Sequence, residues 1–179
     1  MTRKLFSRKY TKRTRFTRQC IGEAIIALVY KKDFDSITIS DIVKTAGVSR
    51  MTFYHYFKDK TEALGNYLQE VIDGYQEVCP KDITLVMLRR ETSIRQALHY
   101  FDQYTSLFLT LEKAGLYSLM INAINDYMRI YVAPYYSGSI YELYFYAGAL
   151  LNTFIEWKKG KKKEPVDEIV QILLSLTTD

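Results

Sequence analysis

Apolar residues recur at steps of three and four along most of the chain, and those steps predict a run of amphipathic helices. From Ile21 they fall at Ala24, Ile25, Leu28 and Val29, a single stripe on one helix, until Asp33-Phe34-Asp35-Ser36 interrupts it. In Ile37-Thr-Ile-Ser-Asp-Ile-Val-Lys-Thr-Ala46, Thr38 is placed to cap a short helix whose inward face is Ile42, Val43 and Ala46. Gly47 supplies a tight turn, and Ser49 caps a second short helix with Val48, Phe53 and Phe57 on the core side. A further helix is expected after Asp59, through Leu64, Leu68, Val71 and Ile72, ending at Cys79-Pro80. Residues 81–92 read as a connector, either irregular or holding a short turn of helix. Ser93-Ile-Arg-Gln96 has capping-box spacing for a helix running to about Lys113 and stopped at Gly115. Another helix spans Leu116 to Ala133, before Pro134. Ser139 opens a long one through Trp157 with Gly160 as its cap, and Pro165 with Asp167 and Glu168 opens the last, to about Leu176. No stretch alternates as a strand does, and none repeats. The expected class is all-α, with a three-helix head on a larger C-terminal helical bundle, divided as 1–75 and 76–179.

Composition sharpens that picture. A chain of 179 residues that is 48% hydrophobic and 15% aromatic can bury a sizeable core, which excludes wholesale disorder. Its net charge of +5 is unevenly spread: residues 1–60 hold 14 lysines and arginines against five acids, and residues 61–179 hold 11 against 15. Arg3, Lys4, Arg8, Lys9, Lys12, Arg13, Arg15 and Arg18 lie in an acid-free start that reads as a basic arm entering the first helix. A basic head on a mildly acidic body is the footprint of a module that meets phosphate. Cys20 and Cys79 have no cysteine or histidine at metal-ligand spacing, so no metal site, no disulfide scaffold and a reducing cytoplasm are expected. The basic start is not followed by an apolar stretch of signal-peptide length, and the longest apolar run, Leu143 to Leu151, is far short of a membrane span. A cytoplasmic protein with no membrane partner is expected, associated with the nucleoid when bound to DNA.

Two short helices joined by a glycine turn form the arrangement that lays a recognition helix in the major groove of a duplex. With Val48, Phe53 and Phe57 turned inward, Arg50, Met51, Thr52, Tyr54, His55 and Tyr56 remain outside or at the rim. Ile37-Thr-Ile-Ser-Asp-Ile-Val, Ala46-Gly-Val-Ser, Thr52-Phe-Tyr-His-Tyr-Phe57 and Lys60 followed by Glu62 and Leu64 together resemble the N-terminal domain of the TetR family of bacterial regulators, from about Thr11 to Tyr75. The resemblance implies that Arg50, Met51 and Thr52 approach base edges from behind the Ser49 cap. It implies that Thr38, Ser40, Tyr54, Tyr56 and Lys60 hold phosphates, with His55 beside them. Met51 departs from the small residues or proline common at that place in the family, and its thioether offers only apolar contact. Tyr144 to Leu151 leading to Glu156-Trp157 and Gly160 is similar to a C-terminal type common in Gram-positive regulators, some of which, similar to regulators of dihydroxyacetone use, act through partner proteins.

The expected partners are therefore an operator in double-stranded DNA and a second copy of the chain, paired through helices at about 139–158 and 165–177. Two-fold pairing doubles the few contacts one short helix can make. Leu151 is expected on that seam, and Gly148 marks a close helix crossing either there or within one chain. Tyr100, Tyr104, Phe108 and Tyr117 are candidates to line a small-molecule effector pocket; the alternative is a solid body that docks a protein co-regulator and activates transcription. His99 is expected as a packing residue. No catalytic constellation, phosphate loop or cofactor motif is present, so the expectation is a repressor and not an enzyme.

Overall fold

The computed structural model describes residues 11–80 and 82–177, and every element among them is helical. Arg3, Lys4, Arg8 and Lys9 of the expected arm lie outside the described residues. The described chain divides after Tyr67 into two compact units.

The first unit holds α1 (Lys12–Val29), a 3₁₀ turn (Phe34–Ser36), α2 (Ile39–Ala46), α3 (Arg50–Tyr56) and the start of α4 (Lys60–Val78). Thr11 caps α1 through the amide of Thr14, so the first helix begins nine residues before the apolar stripe does. Lys12, Arg13 and Arg15 thus stand on a helix and not in an arm. Arg18 is buried: its guanidinium donates to Asn66 Oδ1 at 2.8 Å and lies 5.1 Å from the centre of the Phe57 ring. The core of this unit is Ile21, Ile25 and Val29 of α1 with Ile37, Ile42, Phe53, Phe57 and Leu64. Val48 is only half-buried.

The second unit comprises the rest of α4, then α5 (Leu85–Leu88), α6 (Glu91–Asp102), α7 (Thr105–Lys113), α8 (Tyr117–Tyr127), α9 (Ile140–Lys159) and α10 (Val166–Thr177). A π turn (Met128–Val132) and a 3₁₀ turn (Ala133–Tyr135) carry α8 to the stop at Pro134. Thr84 caps α5 inside the expected connector, and Ser139 caps α9 as its position in the sequence suggests. Two expectations need correction. The helix assigned to a Ser93 box begins three residues earlier, behind Arg90, which places Ser93 inside its first turn. The same segment is two helices, not one, because the Thr105 hydroxyl donates to the Asp102 carbonyl at 2.7 Å and competes with the helical ladder there.

Leu68, Ile72, Ile94, Leu98, Leu107, Phe108, Leu111, Leu143, Leu151 and Val170 build the core of this unit, and α10 packs on α6 and α9. Leu151, expected on an outward seam, is 2% exposed and belongs to this core. His99, expected to pack, is exposed. No described helix is long and apolar enough to cross a membrane.

Candidate nucleic-acid interface

The turn between α2 and α3 is set by Gly47, whose φ of +68° is the left-handed conformation that closes a helix; its amide donates back to Val43. Ser49 follows in extended backbone, and its hydroxyl accepts from the Thr52 amide at 3.0 Å. Seven residues of helix then leave Phe53 and Phe57 in the core while Arg50, Met51, Tyr54 and His55 project outward. Met51 is 84% exposed. A thioether and a phenol facing water on so short a helix cost hydrophobic burial that only a covering surface restores.

The remaining candidates sit less simply. Thr52 is half-buried, and its hydroxyl shares a 2.9 Å hydrogen bond with Ser49, so the residue expected near base edges is part of the cap. Tyr56 is half-buried, its ring edge-on to His55 at 4.8 Å and tilted against Phe57. Thr38 closes a full capping box at the start of α2: its oxygen accepts from the Asp41 amide, and its hydroxyl donates to Asp41 Oδ2 at 2.7 Å. That proton is committed, which leaves Thr38 only acceptor capacity toward a phosphate. Ser40, one residue into α2, is exposed among the first-turn amides, the positive end of the helix dipole.

Asp41 and Lys32 had not been singled out. Asp41 Oδ2 takes hydrogen bonds from Lys32 Nζ at 2.7 Å and from the Thr38 hydroxyl and amide, and these hold its carboxyl well below the usual carboxylate range. The Thr-x-x-Asp spacing was visible in the sequence; the lysine nine residues upstream was not at any helical spacing. Lys60 stands apart from the other candidates. Its ammonium donates to the carbonyls of Phe34, Asp35 and Ile37 at 2.5, 3.0 and 3.0 Å, and it lies 4.6 Å from the centre of the Phe34 ring.

In the second unit, Tyr100, Tyr104 and Phe108 belong to a connected set of ring contacts with Tyr75, Phe101 and Phe154. The Tyr100 hydroxyl reaches the Val71 carbonyl at 2.9 Å across Gly74, where a Cβ would stand 2.5 Å from that oxygen. Tyr117 is elsewhere, its hydroxyl donating to Asn152 Oδ1. The Tyr127 hydroxyl is buried with no oxygen or nitrogen partner among the described residues.

Residues 21–64 match the model of the bacterial regulatory proteins of the tetR family. Over 100 residues, 53% of the chain, it is 30% identical to the HTH-type transcriptional regulator YxbF of Bacillus subtilis, covering 26% of that protein. Over 53 residues, 30% of the chain, it is 36% identical to the HTH-type dhaKLM operon transcriptional activator DhaS of Lactococcus lactis, covering 28% of it. The chain thus spans about a quarter of the length of these curated relatives. Its fold is like that of the crystal structure of Lin0861 from Listeria innocua, with a TM-score of 0.76 at 17% identity over 96% of this chain and 94% of that one.

Proposed function

Because the chain belongs to the TetR family of bacterial regulatory proteins, we propose that it is a cytoplasmic, homodimeric regulator. It binds a palindromic operator through α3, represses by occupying it, and is released by an effector. The observation that carries this reading is the outward face of α3, where Arg50, Met51, Tyr54 and His55 project from a helix pinned by Phe53 and Phe57. The head's excess of basic residues supplies the phosphate attraction such a face needs. Pairing is supported by the outer surface of α9 and α10, where Tyr141, Phe145, Ile172 and Leu176 are exposed, and by Gly148, whose missing Cβ would meet nothing within 4 Å in its own chain. For release, the buried Tyr127 hydroxyl within the aromatic body, which meets no oxygen or nitrogen partner among the described residues, supports a small molecule with an apolar frame and one hydrogen-bonding group. Activation through a protein partner is the second reading, favoured by the activator named among the relatives.

The test is a duplex from the gene's own upstream region, followed by fluorescence anisotropy across a salt series. Binding of two chains per site is expected, with an affinity that falls steeply as salt rises through counterion release. A chain that binds no upstream duplex, or binds with salt-independent affinity, refutes the reading.

A further inference from the structure

Four successive carbonyls lead into α2, and two lysines hold all of them. Lys60 Nζ takes those of Phe34, Asp35 and Ile37, while Lys32 Nζ reaches that of Ser36 at 3.3 Å. An ammonium has three protons, and Lys60 directs its three at three carbonyls. To reach a phosphate it would have to release at least one of them; the Asp35 carbonyl is exposed, while those of Phe34 and Ile37 are part-buried and would lose that partner at a cost. From the other side Lys32 also grips Asp41, which in turn holds the amide and hydroxyl of Thr38. The path from α4 to the first turn of α2 is therefore a continuous set of hydrogen bonds: Lys60, the 34–37 carbonyls, Thr38, Asp41 and Lys32.

Resting on the reading of this head as a duplex-binding module, we propose that Lys60 is a positioning residue for DNA recognition. It holds no phosphate; it locks the turn that fixes where α2 begins, and through α2 the angle at which the packed α3 meets the groove. The ammonium also sits over the Phe34 ring, 4.6 Å from its centre, so neither a shorter chain nor an uncharged one of the same length substitutes for it.

The distinction is measurable, because a phosphate contact and a positioning contact leave different traces. The full chain and its Lys60→Ala and Lys60→Met variants are titrated with the upstream duplex and with an unrelated duplex across a salt series. Positioning predicts that both variants lose about tenfold in affinity for the upstream duplex, the size of one charge-assisted hydrogen bond, and less than about twofold for the unrelated one. The slope of log affinity against log salt stays at the wild-type value. A merely destabilised head would lower both affinities alike by reducing the folded fraction, leaving their ratio unmoved, and that result overturns the proposal. So does a slope flattened by about 0.9 with both duplexes weakened equally, the mark of a lost phosphate contact. Hydrogen exchange of the free chain supplies the arm that needs no DNA. Amides of residues 37–41 should exchange faster in Lys60→Met than in the wild type, and unchanged protection there overturns the clamp. If the wild type binds no duplex while that exchange does accelerate, the functional reading fails and the clamp stands as a structural lock only, which also overturns its role in recognition.

Discussion

Arg50 and Tyr54 stand one helical turn apart on α3, and their positions assign them different work. Arg50 is the first residue behind the Ser49 cap, the end of the helix that would point toward the groove floor on the proposed docking, and its guanidinium has the planar fork that pairs with guanine. Tyr54 is a turn further out, where on the same docking its phenol would meet the backbone, which carries no direct sequence information. Arg50→Ala should relax preference at one position per half-site, a discrimination worth about 1–3 kcal/mol, and leave non-specific binding nearly intact. Tyr54→Phe should weaken every duplex by a similar factor. A randomised-operator selection at fixed salt checks both; a shifted base preference in Tyr54→Phe alone would invert the assignment. The caps around these residues were legible in the sequence because capping is local: Thr38 and Ser49 act on amides three residues away. Arg18 and Lys60 were not. Arg18 looked like part of a basic arm, yet its partners Asn66 and Phe57 lie about forty or more positions away. The carbonyls that occupy Lys60 belong to a turn some twenty-five positions upstream. A charge in a sequence does not declare whether it faces a phosphate or a carbonyl.

Helices that rest on periodicity plus a cap or a proline were readable to within a few residues, as α9 behind Ser139 and α10 behind Pro165 illustrate. Elements set by tertiary contacts were not. The break between α6 and α7 follows from Asp102, whose carboxylate is claimed by Lys158 and Lys162 and whose carbonyl is claimed by Thr105. The same limit applies to faces. In an apolar helix such as α9, periodicity does not say which stripe meets its own core, and Leu151 turned out inside while Phe145 is 63% exposed. The test of pairing therefore moves outward. Phe145→Arg combined with Leu176→Arg should convert a sedimenting species of about twice 21.0 kDa into a monomer with unchanged circular dichroism. Leu151→Arg should instead unfold the second unit, since it buries an unpaired charge, at a cost of about 3 kcal/mol or more. Dimers surviving the outward double substitution would rule this surface out as the seam.

At the scale of the whole molecule, charge is divided by task. The basic residues concentrate in the first sixty positions, and the second unit is built around phenols and a buried lysine paired with the half-buried Asp102. Burial raises the hydroxyls of Tyr75, Tyr100, Tyr127 and Tyr146 above their ordinary value of 10. Unfolding would release them to titrate near that value, while the folded unit keeps its protons to higher pH. Above pH 10 the native state thus binds more protons than the unfolded one, and stability contributed by these groups, complete below pH 10, is lost as pH rises further. Lys158 acts in the opposite sense. Buried over the Trp157 ring at 3.7 Å, its ammonium is lowered from 10.5 to about 8 despite its bridge to Asp102. Between pH 8 and 10.5 the unfolded state holds that proton more tightly, so its effect is to add stability as pH rises. One lysine offsets the tyrosines only below about pH 10; beyond it the four phenols decide. Urea midpoints measured from pH 8 to 11.5 should stay level or rise slightly to about pH 10 and then fall steeply. Tyr127→Phe, which removes from the interior an ionisable hydroxyl with no oxygen or nitrogen partner among the described residues, should make that fall shallower without lowering the midpoint at pH 8. A midpoint that declines evenly from pH 8 onward, or a Tyr127→Phe curve parallel to the wild type, would show that these phenols do not set the alkaline limit of the fold.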